Sequence, residues 1–289
     1  MEKKIVLITG TNSGFGWLAT KSLADSGHTV YATIRDTKGK NADKTRELEQ
    51  IENVTVLDVS LTDEESVKNA VDTVINNEGR IDVLVNNAGA GMFGVAESAT
   101  VEDLQRMLEV NAVAPWRLMK LTLPYMRKRS DGLIINISSG WGRFSAPFSA
   151  IYAASKFALE ALSEGLHYEV RHLGVDVAII QPGAFPTEMS QKVQFGSDAS
   201  VSDEYKTLAE LPNKMGAAIG KMFEATDPNP QEVADAIVNL VNSPKGHRPL
   251  RTNVDRATGH MVEAANRAVE AEYANVLTAF GLGELIERS

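Results

Sequence analysis

The sequence predicts an α/β fold, a doubly wound parallel sheet with helices on both faces. Short β-rich apolar runs alternate with segments that repeat apolar residues at helical spacing. Right-handed crossovers between parallel strands place helices on both faces of such a sheet. The 289 residues, 43% of them hydrophobic, suit one domain over 1–289 with a sizeable core.

Each predicted strand is a short aliphatic run bounded by turn residues. The strands are predicted at 4–9, 29–34, 54–58, 82–86, 132–138, 175–181 and 248–252, and the sixth is stopped by Pro182 and Gly183. The helices are predicted at 14–26, 62–76, 101–129, 149–173, 231–242 and 261–277. Thr62 and Asp63 are candidates for capping the second helix. Pro115 and Pro124 should kink or break the third.

Two segments fall outside this alternation. Residues 186–230 are irregular, with several Gly, Ser, Asp and Pro residues, and are longer than a plain connection. We expect them to form a substrate-binding insertion. Residues 254–289 should form a helical extension at the C-terminus.

Composition excludes several classes of function. The net charge of -9 disfavours a general nucleic-acid role. The sequence has no cysteine, which excludes disulfides, thiolate metal sites and a cysteine nucleophile. No apolar run reaches the roughly 18 residues of a membrane helix, so no membrane partner is expected and the cytoplasm is the default location. His167 and His172 are five residues apart, which does not align two metal ligands on a helix face, so no metal is expected.

A glycine-rich segment, Thr9-Gly10-Thr11-Asn12-Ser13-Gly14-Phe15-Gly16, follows the first strand. Glycine lets the backbone approach a pyrophosphate closely, and the following helix directs free N–H groups at phosphate. The second strand ends in Arg35 and Asp36, where dinucleotide folds select their ribose. Asp36 could hold a 2′-hydroxyl, whereas Arg35 could pair with a 2′-phosphate. A solvated charge pair is the alternative for both.

A tyrosine and a lysine lie one helical turn apart at Tyr152 and Lys156. Free tyrosine has a pKa of about 10, and a neighbouring ammonium should lower it. Such a phenol could return a proton to an alkoxide formed by hydride transfer. The pair alone is a weak signal. Ser139, 13 residues upstream at the end of the fifth strand, could hydrogen-bond the substrate oxygen.

These residues together resemble the short-chain dehydrogenase/reductase family over roughly residues 3–253. The likeness consists of the glycine-rich segment, Asn86-Asn87-Ala88-Gly89, Asn111, Ser139 and Tyr152-x-x-x-Lys156, in order and at the usual spacing. It implies a Rossmann fold and an oxidoreductase that acts on CH–OH groups with NAD(P). The glycine spacing differs from that of the extended branch, which disfavours an epimerase.

The resemblance also implies roles for the matching residues. Tyr152 would be the general acid/base, Lys156 would bind the nicotinamide ribose, Ser139 would orient the carbonyl, and Asn111 would hold a water that links Lys156 to solvent. Asp58 would contact the adenine, and Thr187 the carboxamide. The expected cofactor contacts are Gly10, Asn12, Ser13, Gly14, Phe15, Gly16, Arg35, Asp36, Asp58, Val59, Asn87, Ala88, Gly89, Tyr152, Lys156, Pro182, Gly183, Phe185 and Thr187.

The segments 30–36 and 156–160 are similar to the branch that contains 17β-hydroxysteroid and retinol dehydrogenases. Arg35 after the second strand resembles NADP-preferring members, so NADP is expected and NAD stays possible. Asn12 departs from that branch, which often has serine there.

Aromatic residues should line the substrate side, with Trp141, Phe144 and Phe148 beside Ser139 and Tyr152. They favour an apolar carbonyl or alcohol as substrate. The helices predicted at 101–129 and 149–173 resemble those that pair in family dimers, so a homodimer or homotetramer is expected. The alternative function is a dinucleotide-binding sensor or interaction protein that has kept the fold without catalysis.

Overall fold

The computed structural model describes residues 2–286, apart from the side chains at 191, 199, 202, 203, 207 and 209. The two ends of the predicted domain, residue 1 and residues 287–289, lie outside the described residues, as do those six side chains of the predicted insertion. The strands are β1 Ile5–Thr9, β2 Thr29–Ile34, β3 Val54–Asp58, β4 Val83–Asn86, β5 Gly132–Ile137, β6 Val175–Pro182 and β7 Arg251–Val254.

The helices alternate with these strands. They are α1 Gly14–Asp25, α2 Ala42–Glu49, α3 Glu64–Glu78, α4 Val101–Leu108, α5 Ala114–Arg129, α6 Ala150–Val170, α7 Glu188–Gln191, α8 Ala199–Glu204, α9 Leu211–Thr226, α10 Gln231–Asn242 and α11 Gly259–Ala279. A π turn, Glu109–Val113, joins α4 to α5. Short 3-10 turns lie at Ala96–Ser98, Gly140–Gly142, Arg171–Leu173, Lys206–Glu210 and Gly283–Leu285.

The strands form one parallel sheet in the order β3-β2-β1-β4-β5-β6-β7. The predicted doubly wound fold is therefore confirmed. Strand order reverses between β1 and β4, and in open α/β sheets ligands bind at the carboxyl edge beside such a reversal. In β1, Val6 and Ile8 face a cluster that includes α1 and α10, whereas Ile5 and Leu7 face one that includes α3, α5 and α6.

Two sequence predictions need correction. The helix predicted at 101–129 is interrupted at the π turn, not at its prolines: Pro115 lies in the first turn of α5 and Pro124 inside that helix. The last strand is Arg251–Val254 instead of 248–252, because the Arg248 side chain is buried in an ion pair with Asp176 at 2.8 Å.

Smaller differences concern caps and missed helices. Asp63 caps α3 by accepting hydrogen bonds from the backbone N–H groups of Glu65 and Ser66, so Asp63 is the cap and not Thr62. Helix α2 was not predicted. The stretch 186–230 contains α7, α8 and α9. Across residues 2–286, no helix is both long enough and apolar enough to span a bilayer.

Candidate active site

The glycine-rich segment forms a tight turn between β1 and α1. Gly10 and Gly14 have positive φ angles of 70° and 55°, which L side chains rarely adopt. A Cβ on Gly10 would lie 2.8 Å from the Cα of Ala88, and a Cβ on Gly16 would collide with the carbonyl oxygen of Gly10. Ser13 is the N-cap residue of α1, whose first-turn N–H groups lack intrahelical partners. This turn has the geometry of an anion cradle.

The residues after β4 hold this turn in place. Asn87 Nδ2 donates hydrogen bonds to the carbonyl oxygens of Thr9 and Gly10 at 2.8 and 3.1 Å. The backbone N–H groups of Asn87 and Ala88 both donate to Thr9 Oγ1 at 3.0 Å. Asn86 is buried and donates to Asn136 Oδ1 at 2.8 Å. The Asn87 amide is thus bound to the cradle's own backbone.

The loop after β2 is organised by two carboxylates. Asp58 accepts hydrogen bonds from the N–H groups of Asp36 and Thr37 at 2.9 and 3.0 Å, and from the Thr37 hydroxyl at 2.8 Å. Asp36 has a φ of 58°, and its carboxylate accepts from the N–H of Lys40 at 2.9 Å. Asp36 is thereby turned into its own loop, while Arg35 is exposed.

Two amides connect this loop to the cradle. Asn41 Nδ2 donates to the carbonyl oxygen of Arg35 at 2.6 Å. Asn12 Nδ2 donates to Asn41 Oδ1 at 3.2 Å. Asn41 was not singled out from the sequence, because an isolated asparagine in a polar loop carries no signal of its own. These two amides therefore hold the loop that carries exposed Arg35 against the cradle, and a guanidinium suits a phosphate better than a ribose hydroxyl.

Tyr152 and Lys156 lie on the face of α6 that packs against the carboxyl end of β5. Both are buried, with 8% and 3% of their surface exposed. Lys156 Nζ donates to the carbonyl oxygen of Ile137 at 2.8 Å and lies 5.9 Å from the centre of the Tyr152 ring. A Cβ placed on Gly89 would lie 3.6 Å from that Nζ, so the amine reaches the glycine that follows β4.

Ser139 lies beside the phenol. It is the N-cap residue of the turn Gly140–Gly142, and its Oγ accepts from the N–H of Trp141 at 3.2 Å. Burial raises the pKa of Tyr152, and a hydrogen bond with the Ser139 side chain opposes this rise. Burial lowers the pKa of Lys156 to about 8, and the charge of Glu160 limits the fall. The sequence predicts that Lys156 lowers the pKa of Tyr152. With only the chain's own groups present, burial outweighs that effect and the pKa is raised.

Asn111 lies in the π turn and is fully buried. Its Oδ1 accepts from the N–H of Ala90 at 2.9 Å, and its Nδ2 donates to the Ala90 carbonyl and to Ser155 Oγ, each at 2.9 Å. π turns are frequent at functional sites. Asn111 therefore joins the loop after β4 to the helix that carries Tyr152. Its predicted role in holding a water stays a prediction.

The segment after β6 lies across the cradle. Pro182 ends β6, and the N–H of Gly183 donates to the Val254 carbonyl at 2.9 Å. Phe185 packs edge-on against Phe15, with ring centres 5.4 Å apart. A Cβ on Gly14 would lie 3.6 Å from the Cβ of Thr187. Val59, at the end of β3, is buried.

Apolar and aromatic side chains pack around the phenol of Tyr152. Phe93 lies 5.9 Å from the Tyr152 ring centre, and Trp141 packs in the same cluster. Phe148, with a φ of 67°, lines a shallow open cleft together with Phe93. Phe144 is 40% exposed at the surface. The structure thus packs Trp141 into the cluster of Tyr152, whereas Phe148 lines the neighbouring cleft and Phe144 lies at the surface.

The start of the insertion reaches the same site through residues that the sequence did not single out, and the predicted substrate-binding role of the insertion stays a prediction. The Cε of Met189 lies 3.7 Å from a Cβ placed on Gly89. Gln194 exchanges backbone hydrogen bonds with Phe93 and Gly91 at 2.9 and 3.0 Å. Buried Asp103 accepts hydrogen bonds from Ser197 at 2.9 and 2.8 Å. These contacts fix the insertion over the cleft.

No group of three His, Asp or Glu side chains that could hold a metal was found among the described residues. The polar groups that the site offers beside the cradle are the buried Tyr152 phenol, the Ser139 hydroxyl and the buried Lys156 amine. These groups can orient an oxygen and move a proton to or from it.

Comparison with known proteins places these residues in context. The profile of the family described as short chain dehydrogenase matches residues 4–197. The 3-ketodihydrosphingosine reductase of Bacteroides thetaiotaomicron is 36% identical over 242 residues, which are 79% of this chain and 86% of that protein. Human 17-beta-hydroxysteroid dehydrogenase type 1 is 34% identical over 253 residues, 85% of this chain and 76% of that protein.

A solved structure shows the same architecture. The alcohol dehydrogenase from the archaeon Thermococcus sibiricus, complexed with 5-hydroxy-NADP, superposes with a TM-score of 0.69 at 26% identity. The match covers 88% of this chain and 96% of that one.

Proposed function

The chain belongs to the short-chain dehydrogenase family, and on that premise we propose that it interconverts an apolar ketone or aldehyde and its alcohol with NADP(H). It is an oxidoreductase that acts on CH–OH or carbonyl groups with a nicotinamide dinucleotide, and its relatives confirm the hydroxysteroid dehydrogenase-like branch. The observation that carries the proposal is the position of half-buried Ser139 beside Tyr152, which is buried together with Lys156 at the carboxyl end of β5.

The chain's own residues would handle the proton. The dinucleotide, when bound, supplies the hydride to the carbonyl carbon. Tyr152 gives its phenolic proton to the carbonyl oxygen as the alkoxide forms, so that the alcohol leaves neutral. Ser139 orients that oxygen by a hydrogen bond. Lys156, with a pKa of about 8, is largely cationic at neutral pH and can bind the ribose hydroxyls while it stabilises the phenolate.

The cofactor would lie from the β2 loop to the phenol. Residues 10–16 would cradle the pyrophosphate, 58–59 and 87–89 would line the adenine side, and 182–187 would meet the nicotinamide. NADP is favoured because Arg35 is exposed, whereas the Asp36 carboxylate is bound to its own loop. The NADP analogue on the archaeal alcohol dehydrogenase supports this choice.

The substrate would enter the apolar cleft beside Tyr152. The residues that line it favour an apolar carbonyl compound. The relatives, which are named for a sphingoid ketone and for hydroxysteroids, are consistent with that class.

A carbonyl and alcohol panel, read by the cofactor's absorbance with both NADP(H) and NAD(H), tests the proposal. Tyr152→Phe should lower kcat by about 100- to 10,000-fold, since general acid catalysis is lost. Its NADPH affinity should stay near that of the wild type. Tyr168→Phe, four turns along the same helix, is the matched control and should keep kcat. Near-normal turnover by Tyr152→Phe would refute the mechanism.

The same panel distinguishes the alternative. Tight NADPH binding without oxidation of NADPH by any carbonyl would indicate a dinucleotide-binding sensor or interaction protein. Cofactor choice is tested by Arg35→Ser, which should weaken NADPH binding by about 10-fold or more and leave NADH binding unchanged. Equal losses for the two cofactors would remove the role of Arg35.

We also propose a homodimer formed through α4, α5 and α6. Three large apolar side chains are exposed on or beside these helices: Val101 of α4 is 66% exposed, Val113 of the π turn 40% and Phe157 of α6 43%. Sedimentation equilibrium checks the association, and Phe157→Glu should weaken it. Whether the assembly is a dimer or a tetramer, and whether it resides in the cytoplasm, stay predictions.

A further inference from the structure

A buried carboxylate that the proposed chemistry does not use lies one turn beyond Lys156 on α6. Glu160 is 2% exposed. Its Oε1 accepts a hydrogen bond from Gln181 Nε2 at 2.8 Å, and its Oε2 accepts one from Arg251 Nε at 2.9 Å. A buried charge is tolerated only with such partners. Glu160 therefore joins the helix of Tyr152 and Lys156 to β6 and β7.

The hydrogen bonds continue from Glu160 to the C-terminal helix. Gln181 is fully buried, and its Oε1 accepts from Asn266 Nδ2 of α11 at 2.7 Å. A carboxylate can only accept hydrogen bonds, so Gln181 must direct its NH₂ group at Glu160 and its carbonyl at Asn266. The direction of the whole chain, from Asn266 through Gln181 to Glu160, is thus set by the charge of Glu160.

The turn that carries Ser139 packs between the same elements. A Cβ on Gly140 would lie 3.2 Å from Val262 of α11. A Cβ on Gly142 would lie 2.9 Å from Cγ of Glu160. Since Ser139 is the N-cap of this turn, a shift of Glu160 or α11 would displace the Ser139 hydroxyl relative to Tyr152.

Four charged groups surround Glu160. Lys156 and Glu164 lie on α6, Arg251 on β7 and Arg143 just after the Ser139 turn. Arg251 also pairs with Glu164 at 2.9 Å. The carboxylates of Glu160 and Glu164 act on Arg143 as favourable charges, and Glu160 acts so on Lys156. On α11, the neutral Asn266 completes the surroundings.

We propose that Glu160 is a positioning residue, and that the chain Asn266–Gln181–Glu160 makes helix α11 part of the apparatus that sets Ser139 and the Tyr152–Lys156 pair. This inference rests on the proposed function, because it assigns a task to groups around that site. The carboxylate acts in two ways. It fixes where α6 lies against the sheet, and its charge supports the cationic form of Lys156.

The two contributions can be separated by substitution at one position. Glu160→Gln keeps the length of the side chain and removes the charge, whereas Glu160→Asp keeps the charge but cannot span Gln181 and Arg251. Asn266→Ala, at a half-buried position, removes the far end of the chain. Asn275→Ala is the matched control on α11, because Asn275 is exposed and donates only a short-range hydrogen bond to Glu272.

The first readout is the pH dependence of NADPH binding by the full-length protein, followed by NADPH fluorescence. Lys156 would hold the ribose as a cation, so affinity should fall as that amine loses its proton. We call this fall in affinity at high pH the alkaline limb. In Glu160→Gln the alkaline limb should move to lower pH by about one pH unit. In Glu160→Asp the limb should stay near that of the wild type. A merely structural role for Glu160 would leave the limb in place in both variants.

The second readout is kcat against KM for a carbonyl that the wild type reduces. Glu160→Asp and Asn266→Ala should lower kcat by about 3- to 10-fold, with the Kd for NADPH little changed, because the reacting groups are misplaced and the cradle is intact. Asn275→Ala should match the wild type. If neither Glu160 variant folds, Asn266→Ala alone decides the matter.

Each outcome bears on the proposal. An unshifted limb in Glu160→Gln, or a kcat in Asn266→Ala equal to that in Asn275→Ala, would overturn it. Those results, combined with a large loss in Tyr152→Phe, would leave the proposed function standing. Retained turnover in Tyr152→Phe would instead overturn the proposed function, and the pH limb of NADPH binding would still report the coupling of Glu160 to Lys156.

Discussion

Replacing Lys156 with methionine should stabilise the protein in the absence of cofactor while it removes activity. Lys156 is 3% exposed, and burial lowers its pKa from 10.5 to about 8. At neutral pH the fold must therefore hold a charged amine in a place that disfavours the charge. Methionine has a similar volume and no charge, so it should fill the same space without this cost.

The magnitude follows from two opposing effects. The difference between 10.5 and about 8 corresponds to about 3 kcal/mol by which the ammonium destabilises the fold at pH 7. Methionine also leaves the Ile137 carbonyl, now bonded to Nζ at 2.8 Å, without its donor, which costs about 1–2 kcal/mol. The net gain in the free energy of unfolding should be about 1–2 kcal/mol.

Urea denaturation between pH 7 and pH 10.5 measures this effect. A lysine with a lowered pKa binds fewer protons in the folded than in the unfolded state between about pH 8 and 10.5, so wild-type stability rises with pH across that window. The advantage of Lys156→Met should shrink above pH 8 and reverse near pH 10.5, where only the lost hydrogen bond remains. Lys120→Met, at an exposed position on α5, should show no such trend.

A variant that is less stable than the wild type at pH 7, or a stability difference that does not change with pH, would refute the reasoning. The first result would mean that the hydrogen bond to Ile137 outweighs the desolvation of the ammonium. The second would mean that the amine is not desolvated in the fold.

Two further predictions concern the insertion and the cradle. Hydrogen bonds from Ser197 hold the pKa of buried Asp103 well below its usual range, although burial opposes this effect. The ionised Asp103 therefore stabilises the fold above about pH 4, and this contribution is lost as the pH falls below that value. Asp103→Asn should lower the free energy of unfolding by about 2 kcal/mol at pH 7 in urea titrations, and an unchanged acid unfolding profile would contradict this. Gly16→Ala should weaken NADPH binding by about 10-fold or more, since its Cβ would collide with Gly10 and Asn87, whereas Gly165→Ala, with open space around it, should keep affinity and add about 0.5–1 kcal/mol of stability. Equal NADPH affinity in both glycine variants would show that the cradle can adjust.

The sequence predicted the sheet and the edge at which the site lies, because both follow from local patterns. Six of the strand predictions lie within one residue of the observed bounds, since buried parallel strands are continuous aliphatic runs. Helix α2 was missed because it buries only Thr45 and Leu48 and so shows little apolar periodicity. The seventh strand was misplaced because a buried arginine, Arg248, is indistinguishable in sequence from a strand residue.

The residues of the candidate site likewise fall into those that local sequence patterns predict and those that they do not. The tyrosine, lysine and glycine positions could be named because their spacing along the chain is fixed by a helix turn or a tight loop. The direction of the Asp36 carboxylate could not, since it depends on a positive φ angle and on contacts with Lys40. The hydrogen bonds that connect Glu160 to Asn266 through Gln181 join residues far apart in the chain, so no local sequence pattern predicts them.

The electrostatics of the reacting pair bear on the direction of reaction. Burial raises the pKa of Tyr152 and lowers that of Lys156 to about 8, so among the chain's own groups the amine loses its proton before the phenol does. The protonated phenol beside a cationic lysine, which is the pair that carbonyl reduction needs, is therefore the state that the fold favours below pH 8. Oxidation needs the phenolate, and its formation requires positive charge beyond that of Lys156, such as the charge of an oxidised nicotinamide. The rate of reduction should thus be level through neutral pH and fall above about pH 8, and a reduction rate that rises across that point would contradict the assignment of Lys156 as the supporting cation.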